Sequence, residues 1–172
     1  MNLKALAYQL RRDTIDIICA GKAGHIGGDM SVMEILVELY FDQMNIDAKN
    51  PEDPDRDLFV LSKGHSMEAY YAVLSEKGFL DKEDVLKNFS QFGSKYIGHP
   101  NNKLPGIEMN SGSLGHGLPV CVGMAKAAKM DHKDPVSLQY IYMPHKVQVL
   151  HFYEFRHSGG YMVLLQFLLP DA

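Results

Sequence analysis

The chain reads as an α/β domain in which a parallel sheet is flanked by helices, and three observations lead there. In several long stretches of the first 130 residues the apolar side chains recur at helical spacing. One short apolar run, DLFVLS (57–62), has strand character and feeds a glycine turn and then another helix, the unit from which parallel sheets are built. A chain of 172 residues with 46% hydrophobic and 22% charged residues has material for one domain with a core.

Each element has its own reason. Leu3, Leu6, Ala7, Leu10, Thr14, Ile17 and Ile18 fall near 3.6 spacing and predict an amphipathic helix over 3–20, with Lys4, Arg11, Arg12, Asp13 and Asp16 on its solvated side. The loop GKAGHIGGD follows. Asp29 or Ser31 can cap the next helix, with Glu34 closing a capping box ahead of VMEILVELYF. Residues 42–56, rich in Asp, Asn and Pro, form a surface connection. After the strand, SKGH turns into the helix HSMEAYYAVLSEKG, which Gly78 ends. DKEDVLKNF is a short helix with acids in its first turn. Residues 90–114 read as loop, and GHGLPVCVGMAKAAKM is helical again. Its small residues Gly117, Gly123, Ala125, Ala127 and Ala128 suit close packing against a neighbour.

Composition excludes some functions. The net charge of −4 is spread among interspersed acids and bases, so neither a nucleic-acid nor an acidic-membrane partner is expected. Cys19 and Cys121 each sit in an apolar helical pattern and read as buried free thiols. The charged start, MNLKALAYQLRRD, is not a secretory signal, and no uncharged stretch reaches membrane-spanning length, so a cytoplasmic protein is expected.

The pattern changes near Asp134. Residues 135–172 hold 4 charged residues, against 34 in the first 134, and only 2 of the 15 glycines. The expected organisation is therefore a domain over 1–134 and a divergent tail over 135–172. In the tail, KVQVLHFYEF and YMVLLQFLL fit either strands or a buried helix.

Chemistry concentrates in four glycine–histidine pairs: Gly24-His25, Gly64-His65, Gly98-His99 and Gly115-His116. Glycine lets a backbone approach a ligand closely, and histidine exchanges protons near neutral pH. Several such loops suggest convergence on one polar, anionic ligand. His25 can move a hydroxyl proton or simply cap the following helix. Ser62-Lys63-Gly64-His65 lies between strand and helix, where free N–H groups favour phosphate, although Ser62 can also cap a plain corner. Lys63 reads as a solvated surface charge. Pro100 stiffens the loop that carries His99. The methionines read as core filler, and His132, His145, His151 and His157 lack ligand spacing, so no metal site is expected from these residues.

GHIGGDMSVMEILVELYF, DRDLFVLSKGHSMEAYYAVLSEKGF and YIGHP with LPGIEMNSGSLGHGLPVCVGMAKAAKM together resemble the amino-terminal section of a transketolase, most closely the split type in which this half is a separate polypeptide. The similarity runs in order through residues 1–134 and implies part of the thiamin-diphosphate-binding α/β fold, in the domain that holds the cofactor's diphosphate. It implies His25 and His99 as catalytic residues near cofactor and sugar. It also implies His65 beside the diphosphate, and Gly112, Ser113 and Leu114 against the aminopyrimidine ring. The family often has Pro at the position of Ser113 and Gln at that of His116.

The implied activity is transfer of a two-carbon ketol unit between sugar phosphates, as in the pentose phosphate pathway, by a transferase using thiamin diphosphate with Mg²⁺. The implied partners are a transketolase carboxy-terminal subunit or a second transketolase-like chain, in an oligomer. The deoxyxylulose-phosphate synthase branch shares fold and cofactor, but SKGH and SGSLGHG favour transketolase. One departure stands out: the Gly-Asp-Gly run that holds the cation in this family occurs nowhere in the chain. The expectation is a sequence truncated or altered after about residue 134, inactive alone. The alternative is a non-catalytic fragment or interaction module that keeps the first half of the fold.

Overall fold

The computed structural model describes residues 1–130 with side chains, Lys129 excepted, and residues 138–142, 149–157 and 160–168 as backbone. Helix α1 spans Leu3–Gly21. Asn2 caps it by accepting the Ala5 N–H at 3.1 Å, and Lys22 ends it in the left-handed region at φ 51°. Its buried face is Leu6, Ala7, Leu10, Thr14 and Ile17, as the spacing predicts, but Asp13 belongs to that face too. The Lys82 ammonium reaches Asp13 at 2.8 Å, so a long-range partner overrides the solvated reading of this acid. Cys19 is exposed, contrary to expectation, because it falls off the buried stripe; Cys121 is buried.

Helix α2, Ile26–Glu38, begins ahead of the expected cap. The His25 carbonyl accepts from the Gly28 and Asp29 N–H groups, so Asp29 and Ser31 lie inside the helix and the capping box does not form. Ser31 instead donates to the Gly28 carbonyl at 2.9 Å, and Glu34 pairs with Arg11. A π-helical turn, Leu39–Gln43, extends α2. Strand β1 is Leu58–Leu61, and helix α3 is Met67–Lys77. Gly78 closes α3 at φ 95°, its N–H donating to Leu74 and Ser75, a conformation open to glycine. Helix α4, Lys82–Asn88, is capped by Asp81, and α5 spans Gly117–Met130.

Strands β2 (Leu138–Tyr142), β3 (Val149–His157) and β4 (Gly160–Leu168) follow, so the backbone of both apolar tail segments is strand where it is described. The sheet order is β1-β2-β4-β3. β1 and β4 flank β2 in parallel, with Leu58 opposite Leu138 and Leu138 opposite Met162, while β3 runs antiparallel to β4. These four strands therefore form a mixed sheet instead of a wholly parallel one. With only two residues between β3 and β4, no crossover can make them parallel.

Successive residues of β1 point to opposite faces. Phe59 and Leu61 join the main core with α1 to α4, whereas Val60 meets Cys121 of α5. A strand buried on both faces explains its continuous apolar run. The main core centres on Leu10, Val32, Met33, Leu36 and Leu74 and on an aromatic group, Tyr40, Phe59 and Tyr70. On α5, Gly123 and Ala127 are exposed, and nothing described lies within 4 Å of where a Gly123 Cβ would stand.

Candidate functional site

Three loops meet at the carboxyl end of β1. His25 precedes the first residue of α2, His65 lies in the turn between β1 and α3, and His99 lies in the loop after α4. The rings of His25 and His65 are 5.3 Å apart between centroids and inclined at 67°; those of His25 and His99 are 6.2 Å apart at 71°. His25 is exposed, and His65 and His99 are half-buried. His25 occupies the cap position of α2, but its side chain makes no capping hydrogen bond, which leaves the imidazole to the cluster.

The glycines allow this approach. A Cβ on Gly28 would stand 2.7 Å from the Ser66 hydroxyl and 3.3 Å from the His65 ring. A Cβ on Gly64 would stand 2.8 Å from the Ser111 carbonyl oxygen, and one on Gly112 would stand 3.4 Å from the His99 ring. The loop before α5 is thus pressed between the β1–α3 turn and His99. Ser111 fixes it by donating to the Leu61 carbonyl at 2.6 Å, and Gly117 N–H donates to the Ser62 hydroxyl at 3.2 Å. Ser62 therefore anchors α5 and does not cap α3, whose cap position is Ser66. Gly112, Ser113 and Leu114 are exposed on this loop beside the histidines. His116 is exposed as well, its N–H donating to the Ser113 carbonyl.

Burial, and then the neighbouring His25, lower the pKa of His99 and favour its neutral ring, which can both donate and accept hydrogen bonds. Lys63 departs most from its expected place. It is 1% exposed, and its ammonium donates to the Gly28 carbonyl at 2.7 Å and to the Ser31 hydroxyl at 3.0 Å. Burial lowers its pKa to about 8 against the opposing pull of Asp29. Two residues escaped sequence reasoning as parts of the site: Asp29 and Glu68, buried behind the histidines in the first turns of α2 and α3. The available signal was spacing, since each acid follows a site histidine by four or three positions.

The cluster offers imidazole and backbone hydrogen-bonding groups to a polar ligand. Three glycines let its loops pack closely, and one exposed and two half-buried imidazoles border it together with loop backbone. Among the described residues no group of three His, Cys, Asp or Glu side chains could hold a metal ion, and no helix is long and apolar enough to cross a membrane. The side chains of His132, His145, His151 and His157 lie outside the described residues.

Comparison with known proteins agrees with the geometry. Residues 3–150 match the family described as transketolase, thiamine diphosphate binding domain. The chain is 51% identical over 124 residues to one of the apulose-4-phosphate transketolase subunits of Phocaeicola vulgatus, covering 72% of this chain and 44% of that protein. It is 41% identical over 133 residues to a 6-deoxy-6-sulfo-D-fructose transketolase subunit of a Clostridium species, covering 77% and 48%. The chain thus spans a little under half the length of these relatives. Among solved structures, the transketolase of Campylobacter jejuni superposes with a TM-score of 0.74 at 32% identity, over 81% of this chain and 23% of that one. The ordered glycine–histidine loops, the site they build and these likenesses point one way: this chain belongs to the transketolase family, within its thiamine diphosphate binding domain.

Proposed function

We propose that this chain supplies the diphosphate-binding half of a two-subunit transketolase, which moves a two-carbon ketol unit from a ketose to an aldose. The observation that carries this reading is the meeting of His25, His65 and His99 from three separate loops at the carboxyl end of β1. Thiamin diphosphate, when bound, supplies the nucleophilic carbon that takes up the ketol unit. His65 and the N–H groups of the turn before α3 face the diphosphate. The backbone of Gly112, Ser113 and Leu114, with the Leu114 side chain, borders the aminopyrimidine ring. His25 exchanges a proton with a sugar hydroxyl at its ring nitrogen, and neutral His99 holds a second hydroxyl by hydrogen bonds.

The two relatives carry apulose-4-phosphate and 6-deoxy-6-sulfo-D-fructose in their names, so a ketose with an anionic group is the proposed donor class. That both relatives are named as subunits supports a carboxy-terminal partner chain. So does the exposed apolar face of α5, with Leu118 and Val122. In the complete two-subunit enzyme, read here as cytoplasmic and as built on a parallel sheet flanked by helices, Mg²⁺ would supply counter-charge for the diphosphate through ligands other than the described residues. The chain carries no Gly-Asp-Gly run, although the family match extends to residue 150, so a division into 1–134 and a divergent tail over 135–172 belongs to this proposal alone.

Calorimetric titration of the isolated chain with thiamin diphosphate and Mg²⁺ tests this. Weak or absent binding is expected, because helix N–H groups and imidazoles alone must balance the diphosphate. Mixing the chain with the carboxy-terminal half of a transketolase, then assaying ketol transfer, tests the activity. Transfer that is equal with and without this chain would overturn it.

A further inference from the structure

Behind the histidines lie two carboxyl groups to which the proposed reaction gives no task. Asp29 is 0% exposed and Glu68 is 1% exposed, and Asp29 reaches across the seam between α2 and α3 to the residue next to Glu68, which brings the two carboxyl groups into each other's field. One Asp29 oxygen accepts the Ala69 N–H at 3.0 Å. No protein donor meets hydrogen-bond geometry at the other Asp29 oxygen or at either Glu68 oxygen. The peptide N–H groups of Glu68 and His25 stand near enough to Glu68 to favour its charged form, without outweighing burial.

Two ionised carboxylates in this position would repel each other and lose their hydration without replacement. A proton between them turns an unfavourable oxygen–oxygen contact into an O–H···O hydrogen bond. The charge count agrees. Lys63 is the buried cation beside Asp29, so one ammonium with two carboxylates leaves a net negative charge inside the protein, whereas one proton held by the pair leaves none. Tyr71, whose hydroxyl is bonded to the Ile97 carbonyl, is a further titratable neighbour of Glu68, and the loop of Gly98 and His99 passes the Glu68 carboxylate.

We infer that Asp29 and Glu68 share one proton at neutral pH and act as a positioning pair, a hydrogen-bonded strap between the first turns of α2 and α3 that fixes His25 relative to His65. Asp29 reaches across to the Ala69 N–H of α3, and Glu68 reaches back to the loop that carries His25. Gly28 lets the two turns close tightly enough for the strap to form. Burial, then the Glu68 charge, raises the Asp29 pKa to about 8, in the direction a held proton requires. The consequence for cofactor and sugar rests on the function proposed above; the shared proton does not.

Infrared spectroscopy of the full chain near neutral pH tests the proton without any assay of activity. The wild type should show an un-ionised carboxyl band that both Asp29→Asn and Glu68→Gln remove, because either amide can donate in the proton's place. A wild type without the band, or a band that survives in either variant, overturns sharing. Should a variant fail to fold, the wild type decides alone: the band must fade as pH rises through about 8. Positioning is read from the ring resonances of His25 and His65. These should stay in place in the two amide variants and shift in Asp29→Ala, or in Glu68→Ala if the former does not fold. Rings unmoved by loss of the strap overturn the positioning role.

Discussion

Two groups of rings in this molecule share a geometry and differ in everything else. In the aromatic group Tyr40, Phe59 and Tyr70 meet edge-on, with centroids 5.1 to 5.7 Å apart. In the histidine group the separations from His25 are 5.3 and 6.2 Å, again edge-on. The aromatic rings are at most 2% exposed, and their polar tips are spoken for. Tyr40 donates to Tyr70 across 2.6 Å, and Tyr70 donates to the Gly106 carbonyl at 2.6 Å. Burial raises both tyrosine pKa values and keeps the phenols neutral. The histidine rings sit at the surface on glycine loops, held by backbone approach and by groups beneath them. A ring cluster that is closed stabilises; one that is open to solvent can meet a ligand.

The sharpest way to break this contrast is to hollow the closed group. Phe59→Ala removes a 2% exposed ring that touches both tyrosines and should cost about 3–5 kcal/mol of unfolding free energy, read from denaturant titration. A loss below about 1 kcal/mol would mean the group is not the packing centre of the domain.

An intermediate effect is expected at the seam of the open group. Gly64→Ala drives a Cβ to 2.8 Å from the Ser111 carbonyl oxygen, where backbone and not a pliable side chain must give way. The expected cost is about 1–3 kcal/mol, together with weaker cofactor binding in the complex as the 111–114 loop moves off His99. Unchanged thermal stability and unchanged affinity would show that the loop is not wedged there.

The smallest stability effect should come from the histidine itself. His65→Ala should change unfolding by about 0.5 kcal/mol or less, since a half-buried loop ring adds little to a core. It should nevertheless lower thiamin diphosphate affinity in the complemented complex by about tenfold or more, the usual worth of a hydrogen bond to a charged group. A collapse in melting temperature at constant affinity would move His65 into the closed, structural class.

Much of the local structure is legible in the sequence because its causes are local. The 3.6 spacing of α1, the Asp81 cap of α4 and Gly78 at the end of α3 act within a few residues of themselves. The start of α2 is not legible in this way, because Ser31 and Glu34 imitate a capping box. Glu34's partner Arg11 and the close approach of Gly28 to Ser66 come from distant segments. Lys63 departs from its surface reading for the same reason: its acceptors, the Gly28 carbonyl and the Ser31 hydroxyl, are more than thirty positions away in the chain.

The sequence by itself determined which residues could do chemistry: histidines raised on glycine, a strand leading into a turn, and an ordered set of motifs shared with transketolases. Tertiary structure alone decided which of them meet, and which charged groups go inside. Periodicity registers neighbours up to about a turn away, whereas His25, His65 and His99 are separated by tens of residues and the Asp29–Ala69 hydrogen bond by forty. The environment of a buried ionisable group is set by whatever packs against it. The same aspartate reads as a candidate helix cap in the sequence and, across the α2–α3 seam, lies buried and accepts the Ala69 N–H.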